Sequence, residues 1–156
     1  MNLSKSDLAH IRHLLEAGAP LEAPDRQFVK QWRGGQDPVD GCRSMPFPEY
    51  FEDVDSFFDA AQGSWWSAQI EGSVQVSQLI EDDDYIATAT LAQIKALLTF
   101  CARGERFCDG HREALLKSGR VSAILRRLRA IHQSALDQGR TSQVSRRHRT
   151  SDEPGA

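Results

Sequence analysis

The sequence predicts a mainly α-helical, single compact domain of about five or six helices, with room for a short β-hairpin and with a disordered C-terminal tail. Three observations carry this. Apolar residues recur at three- and four-residue spacing in several separate segments, most clearly after Thr90. The chain has 156 residues and is 40% hydrophobic, enough for one core and short of two. From Arg140 onward the apolar period stops and Ser, Thr, Arg, Asp and Pro dominate, the composition of a segment that cannot bury a core. The domain is therefore placed at 1–139 and a disordered basic tail at 140–156.

The first helix is expected from about Ser6 to Ala17. Leu8, Ile11 and Leu15 form its stripe and Leu14 widens it. Ser4 or Ser6 can cap its start and Gly18 its end. Pro20 and Pro24 punctuate the chain. Asp25 then opens a short segment in which Phe28, Val29 and Trp32 share one face, read as a second helix ended by Gly34-Gly35. Met45-Pro46-Phe47-Pro48-Glu49-Tyr50 is expected to be extended, because a residue before proline is pushed out of the helical region. From about Glu49 to Gln62 the spacing of Val54, Phe57, Phe58 and Ala61 is helical. Its acidic first turn (Glu49, Glu52, Asp53, Asp55) suits the positive end of a helix dipole.

Residues 63–85 are irregular. The hairpin is placed between Trp65 and Ile80, where Val74, Val76 and Leu79 are broken by polar residues. Glu81-Asp82-Asp83-Asp84 reads as a solvated loop before a helix; adjacent carboxylates on a chain mostly point apart, which disfavours a metal site. Thr90 and Gln93 make a capping box for a helix with Leu91, Ile94, Leu97, Leu98 and Cys101 on one side and Gly104 as its stop. Asp109 is expected to cap a helix carrying Leu115 and Leu116, stopped by Gly119. The final helix carries Val121, Ile124, Leu125, Leu128, Ile131 and Ala135, with Arg126, Arg127 and Arg129 mostly opposite, and is expected to end at Gly139.

Charge is uneven along the chain. From Lys117 onward there are nine basic and three acidic residues; before it there are ten and 19, so a net charge of −3 divides into +6 and −9. A basic last helix lying against an acidic body explains this plainly. Nucleic-acid binding is the sharper reading, and a mildly acidic total does not favour it. No apolar run of roughly 18 residues calls for a membrane span. The start Met1-Asn2-Leu3-Ser4-Lys5 lacks a secretory stretch, and Cys42, Cys101 and Cys108 read as reduced thiols, so the expected compartment is the cytoplasm.

Thr99-Phe100-Cys101-Ala102-Arg103-Gly104-Glu105-Arg106-Phe107-Cys108-Asp109-Gly110-His111, with Ser118-Gly119 and Ile124-Leu125-Arg126-Arg127-Leu128 behind it, resembles a family of small bacterial domains of unknown function. Pro46-Phe47-Pro48-Glu49-Tyr50, Val54 and Phe57-Phe58 match the upstream block of that family. The resemblance covers about Met45 to Leu128 and implies a bacterial cytosolic protein. It implies no activity, substrate or cofactor.

The run Arg103 to His111 holds six ionisable side chains in nine positions, between two apolar helical patterns. Arg103, Arg106 and Arg112 are candidates for an anion pocket, since guanidinium groups bind carboxylate or phosphate in paired geometry. The plainer reading has Glu105 and Arg106 locking two helices in register. Cys108 and His111 are spaced to meet on a helical turn as nucleophile and base, with Glu105 and Asp109 as candidate acid and base, but a third orienting group is missing. Cys108 is otherwise a small core residue. Zinc on Cys101, Cys108 and His111 would need Cys42, His132 or Asp109 as a fourth ligand, so no metal and no cofactor are called for. Trp65 and Trp66 close the core, line a pocket or present an exposed binding patch. His10 and His13 read as surface residues.

The reading with most support is a non-catalytic binding or regulatory module for a protein or small anionic ligand at the Arg103–Arg112 junction. A hydrolase or transferase using Glu105, Cys108, Asp109 and His111 stands second, beside nucleic-acid binding through the last helix and tail.

Overall fold

Helix α1 (Lys5–Gly18) begins where the sequence allows a capping box. The Ser4 hydroxyl accepts from the Asp7 amide at 3.1 Å, and the Asp7 carboxylate accepts from the Ser4 amide at 2.9 Å. The computed structural model that shows this describes residues 3–35, 45–69 and 73–149. Ile11 and Leu14 of α1 are fully buried. Gly18 lets the helix end press on α7; a Cβ there would stand 2.7 Å from a Leu125 methyl.

The segment after Asp25 is a strand, not the expected helix. Asp25 itself takes φ 56, a left-handed turn rather than a helix start. Strand β1 (Val29–Arg33) pairs antiparallel with β2 (Phe47–Tyr50), matching Val29 to Tyr50 and Trp32 to Pro48, with an irregularity between Val29 and Gln31. The helical spacing of Phe28, Val29 and Trp32 lost to tertiary pairing. The proline-rich segment is extended as expected and offers a ready partner, and Val and Trp both favour strands. Pro48 is tolerated because a two-stranded sheet has only edges.

This sheet also corrects the position of the hairpin. Between Trp65 and Ile80 the described residues form turns and helix α3 (Ser73–Leu79), while residues 70–72 lie outside them. Val76 and Ile80, four apart and both buried, follow a helical and not a strand period.

Helix α2 (Glu52–Ala61) buries Val54, Phe57, Phe58 and Ala61, and its acidic first turn is Glu52, Asp53 and Asp55. Helix α4 (Asp83–Thr88) is capped by Asp82, which accepts from the Tyr85 amide at 3.0 Å. Much of the acidic cluster is thus cap and first turn. Helix α5 (Leu91–Arg103) carries the expected Thr90–Gln93 capping box and buries Leu91, Ile94, Leu97, Leu98, Thr99, Cys101 and Ala102. A 3-10 turn (Gly104–Arg106) leads towards the short helix α6 (His111–Lys117), which ends before Gly119 at φ 77. That makes seven α-helices among the described residues, against about five or six expected.

Helix α7 (Arg120–Arg149) buries Val121, Ile124, Leu125, Leu128 and Ile131. It does not stop at Gly139. A single helical glycine costs only about 1 kcal/mol relative to alanine, too little to end a long helix alone. Residues 150–156, part of the expected tail, lie outside the described residues, as do the side chains of 141–149. The core is one cluster drawn from every helix, from Tyr50 of β2 and from Phe28 just before β1.

Three arginines of the first turns of α7 are spent on the body. Arg120 pairs with Glu81 at 3.0 Å and Asp83 at 2.5 Å. Arg127 donates to the Ala89 carbonyl at 2.8 Å, and Arg129 pairs with Glu22. No helix among the described residues is long and apolar enough to cross a membrane.

Candidate functional site

The centre of the Arg103–His111 run is Glu105. One carboxylate oxygen accepts from the Tyr50 hydroxyl and from the Gly110 amide, both at 2.8 Å. The other accepts from the Arg112 amide at 2.8 Å. Glu105, not Asp109, therefore caps α6. A charged acceptor at a helix start satisfies amides that have no partner inside the helix and faces the positive dipole end. Asp109 stays exposed, and the residue at the N-cap is Gly110 at φ 81. The same carboxylate ties β2 to this junction through Tyr50. Burial, first, and then the Glu105 hydrogen bond push the Tyr50 phenol well above its ordinary pKa, so it remains a donor.

Two glycines of the run are steric necessities. Gly104 has an ordinary helical φ of −59, so it is not a left-handed stop. Its lack of a side chain admits the His111 ring; a Cβ would overlap Cδ2 and Nε2 of the imidazole. At Gly110 a Cβ would come within 2.9 Å of the Trp32 ring, against the left-handed backbone as well. Trp32 is 49% exposed yet anchors the hairpin on this turn.

The four candidate catalytic residues do not line one hollow: Glu105 and Asp109 share one, which Cys108 and His111 do not border. Glu105 is engaged by three donors. His111 packs edge-to-face on Phe100 at 5.2 Å, and its buried Nε2 has no hydrogen-bond partner. Burial lowers the His111 pKa, opposed by Glu105 and the Phe100 backbone. Cys108 is exposed rather than a core residue, with Sγ 3.9 Å from the Asp109 carbonyl. Cys101 is the buried thiol, and burial raises its pKa to about 12. Among the described residues no group of three or more His, Cys, Asp or Glu side chains could hold a metal ion, and Cys42 lies outside them.

The arginines divide between two hollows. Arg103 and Arg106 line a cavity of about 350 Å³ with Ala61, Gln62, Ser67, Thr99, Ala102 and Phe107. Arg103 donates to the Ser67 hydroxyl at 3.2 Å. Arg112 does not join them. It pairs with Asp55 at 3.5 Å, and its guanidinium lies 4.8 Å from the Phe58 ring centre. It lines a second hollow of about 340 Å³ with Tyr50, Asp55, Glu105, Asp109 and Phe47, and Arg106 borders that one too. The expected three-arginine pocket is a two-arginine cavity, because Arg112 stacks on the core.

Sequence reasoning missed the opposite wall, formed by Ala61, Gln62 and Ser67, none of which carries a charge. It also missed Tyr50, although an aromatic hydroxyl after a proline-rich segment is a signal for a tie between elements. Trp66 is buried, as a core-closing residue should be. Trp65 stacks on His10 at 4.9 Å, donates to Asp7 at 3.1 Å and takes the Lys95 ammonium over its ring at 3.4 Å. Those partners leave it a bracket between α1 and α5.

Fold and site together define a small helical domain with a hairpin clamped to a carboxylate-locked turn, beside a cavity with a cationic rim. The chain belongs to a family of unknown function (DUF6508), whose model matches residues 6–134. The match takes in α1 and β1, which the resemblance from Met45 to Leu128 did not reach. No curated protein and no solved structure matches the chain.

Proposed function

We propose that this protein is a non-catalytic binding module for a small anionic ligand, held in the cavity between α2, the 62–67 turn, α5 and the Gly104–Phe107 turn. One observation carries the reading: the cavity is lined by the guanidinium groups of Arg103 and Arg106 and by no carboxylate. Among the described residues Arg106 makes no ion pair, while Arg26, Arg33, Arg112, Arg120 and Arg129 all do. An unpaired guanidinium beside a second one, in a chain of net charge −3, is a site of local positive potential. A volume of about 350 Å³ sits at the small end of ligand cavities.

The bacterial and cytoplasmic setting expected from sequence belongs to the same proposal. Nucleic-acid binding draws less support, since Arg120, Arg127 and Arg129 are engaged within the fold. The enzyme reading draws less as well, since Glu105 is committed to the α6 cap.

Calorimetric titration of the full chain with acetate, longer carboxylic acids, inorganic phosphate and phosphate monoesters tests the reading. Binding by at least one of these anions is expected, and Arg103→Gln with Arg106→Gln should abolish it at an unchanged melting temperature, because both side chains are exposed. Unfolding of the double variant would assign the arginines to structure and end the proposal. So would anion binding that ignores both substitutions.

A further inference from the structure

The cavity is not uniform, and its layering narrows the ligand class. Ala61, Thr99 and Ala102 are buried and form the floor, whereas Gln62, Ser67, Arg103, Arg106 and Phe107 are exposed and form the rim. The floor offers no open polar group. Thr99 Oγ1 donates to the Lys95 carbonyl at 2.8 Å and accepts from the Ala68 amide at 3.1 Å. What Thr99 has left to present is its methyl, alongside two alanine methyls.

A ligand with hydroxyls along its body, such as a sugar phosphate, would lose water at that floor and gain no hydrogen bond in return. A ligand with an apolar body loses nothing there. Phe107 adds to this at the rim. Its ring is 89% exposed, the most exposed of the large hydrophobic residues among the described ones, yet it borders the cavity beside Arg106. A large apolar ring left that open beside a binding cavity is an unpartnered wall.

We infer that the ligand is a carboxylic acid with a compact apolar body, a ring or a short branched chain. The body sits on Ala61, Ala102 and the Thr99 methyl, with Phe107 against its flank. The carboxylate meets Arg103 and Arg106 at the rim. This rests on the anion-binding reading above, and it goes further by rejecting inorganic phosphate, which has no apolar body, and polar-bodied anions such as sugar phosphates.

The test is a titration of the full chain with acetate, phenylacetate, cyclohexanecarboxylate, inorganic phosphate and glycerol 3-phosphate. Phenylacetate and cyclohexanecarboxylate should bind about tenfold or more tighter than acetate, the discrimination an apolar surface gives for a few carbons. Phe107→Ala should weaken phenylacetate about threefold to tenfold and leave acetate unchanged, in line with the worth of an aromatic contact. Arg106→Gln should weaken both acids. Equal affinity for acetate and phenylacetate overturns the apolar-body assignment, and so does a Phe107→Ala variant with unaltered phenylacetate affinity. Arginine-dependent binding of phosphate without binding of the apolar acids overturns this ligand class and leaves the anion site standing. Binding of no anion at all overturns both.

Discussion

The imidazole of His111 packs against Gly104, filling the space where any other residue would carry its Cβ. This contact joins the end of α5 to the first turn of α6. It predicts that Gly104→Ala is destabilising by about 2 kcal/mol, the cost of overpacking a closed contact. The backbone itself tolerates alanine, since φ is −59. Gly104→Ala combined with His111→Ala should therefore recover part of the loss, and urea denaturation of the four members of that cycle measures it. Equal stability of wild type and Gly104→Ala would show that the ring moves aside at no cost.

His111 also predicts an acid limb in stability. Burial holds its pKa below the ordinary value, with Glu105 and the Phe100 backbone only partly compensating. In the unfolded chain the ring takes a proton near pH about 6.5. The folded chain does so only at lower pH, so the unfolded state binds more protons in between. Stability is therefore full above pH about 6.5 and falls as pH drops below it. Melting temperatures between pH about 7.5 and 5.5 should decline, and the decline should shrink in His111→Gln. An identical pH slope in the variant would place the titrating group elsewhere.

Glu105 should be the costliest surface-near side chain to remove. Replacing it by alanine leaves the Tyr50 hydroxyl and two helix-start amides without their acceptor; about 2 kcal/mol is expected from the cap and charge loss together. Tyr50→Phe removes one of the three bonds and should cost about 1 kcal/mol. Glu105→Gln should fall between the two, because an amide accepts with one oxygen only. Hydrogen exchange of the Gly110 and Arg112 amides would report the cap directly. Undiminished protection in Glu105→Ala would contradict it.

The thiols should separate cleanly. Cys108 is exposed, while Cys101 is buried with its pKa raised to about 12. In a Cys42→Ser background a thiol reagent should label one site quickly under native conditions, and Cys108→Ser should remove that phase. Slow, denaturant-dependent labelling of both thiols would mean that Cys108 is covered in solution.

The helical fold was legible where residues settle their own structure. Thr90 with Gln93, and the stripe from Leu91 to Cys101, define α5 from local pattern alone. The hairpin was not legible, because Phe28, Val29 and Trp32 satisfy a helical period and only their distant partners at 47–50 decide otherwise. The end of α7 is hidden for the opposite reason: Gly139 looks like punctuation, but thirty residues of helix absorb it. The site was half legible. Its charges announced it, yet the sorting of Arg112 onto the Phe58 ring and of Arg103 and Arg106 onto the cavity depends on Phe58 and Ser67, far away in sequence. Adjacency to the helix favours Asp109 as the cap in sequence; a longer side chain folding over from position 105 leaves no trace in a capping pattern.

That fold-back makes the turn a measured length of chain. The Glu105 carboxylate closes a ring with its own backbone at Gly110, and the five-residue interval decides whether the oxygen reaches the amide. One residue inserted or deleted between them would break the ring even if every side chain in it were retained. The identifying mark of this turn is thus a distance along the sequence as much as a set of residues: a glutamate, five steps, and a glycine that a tryptophan ring can lie upon.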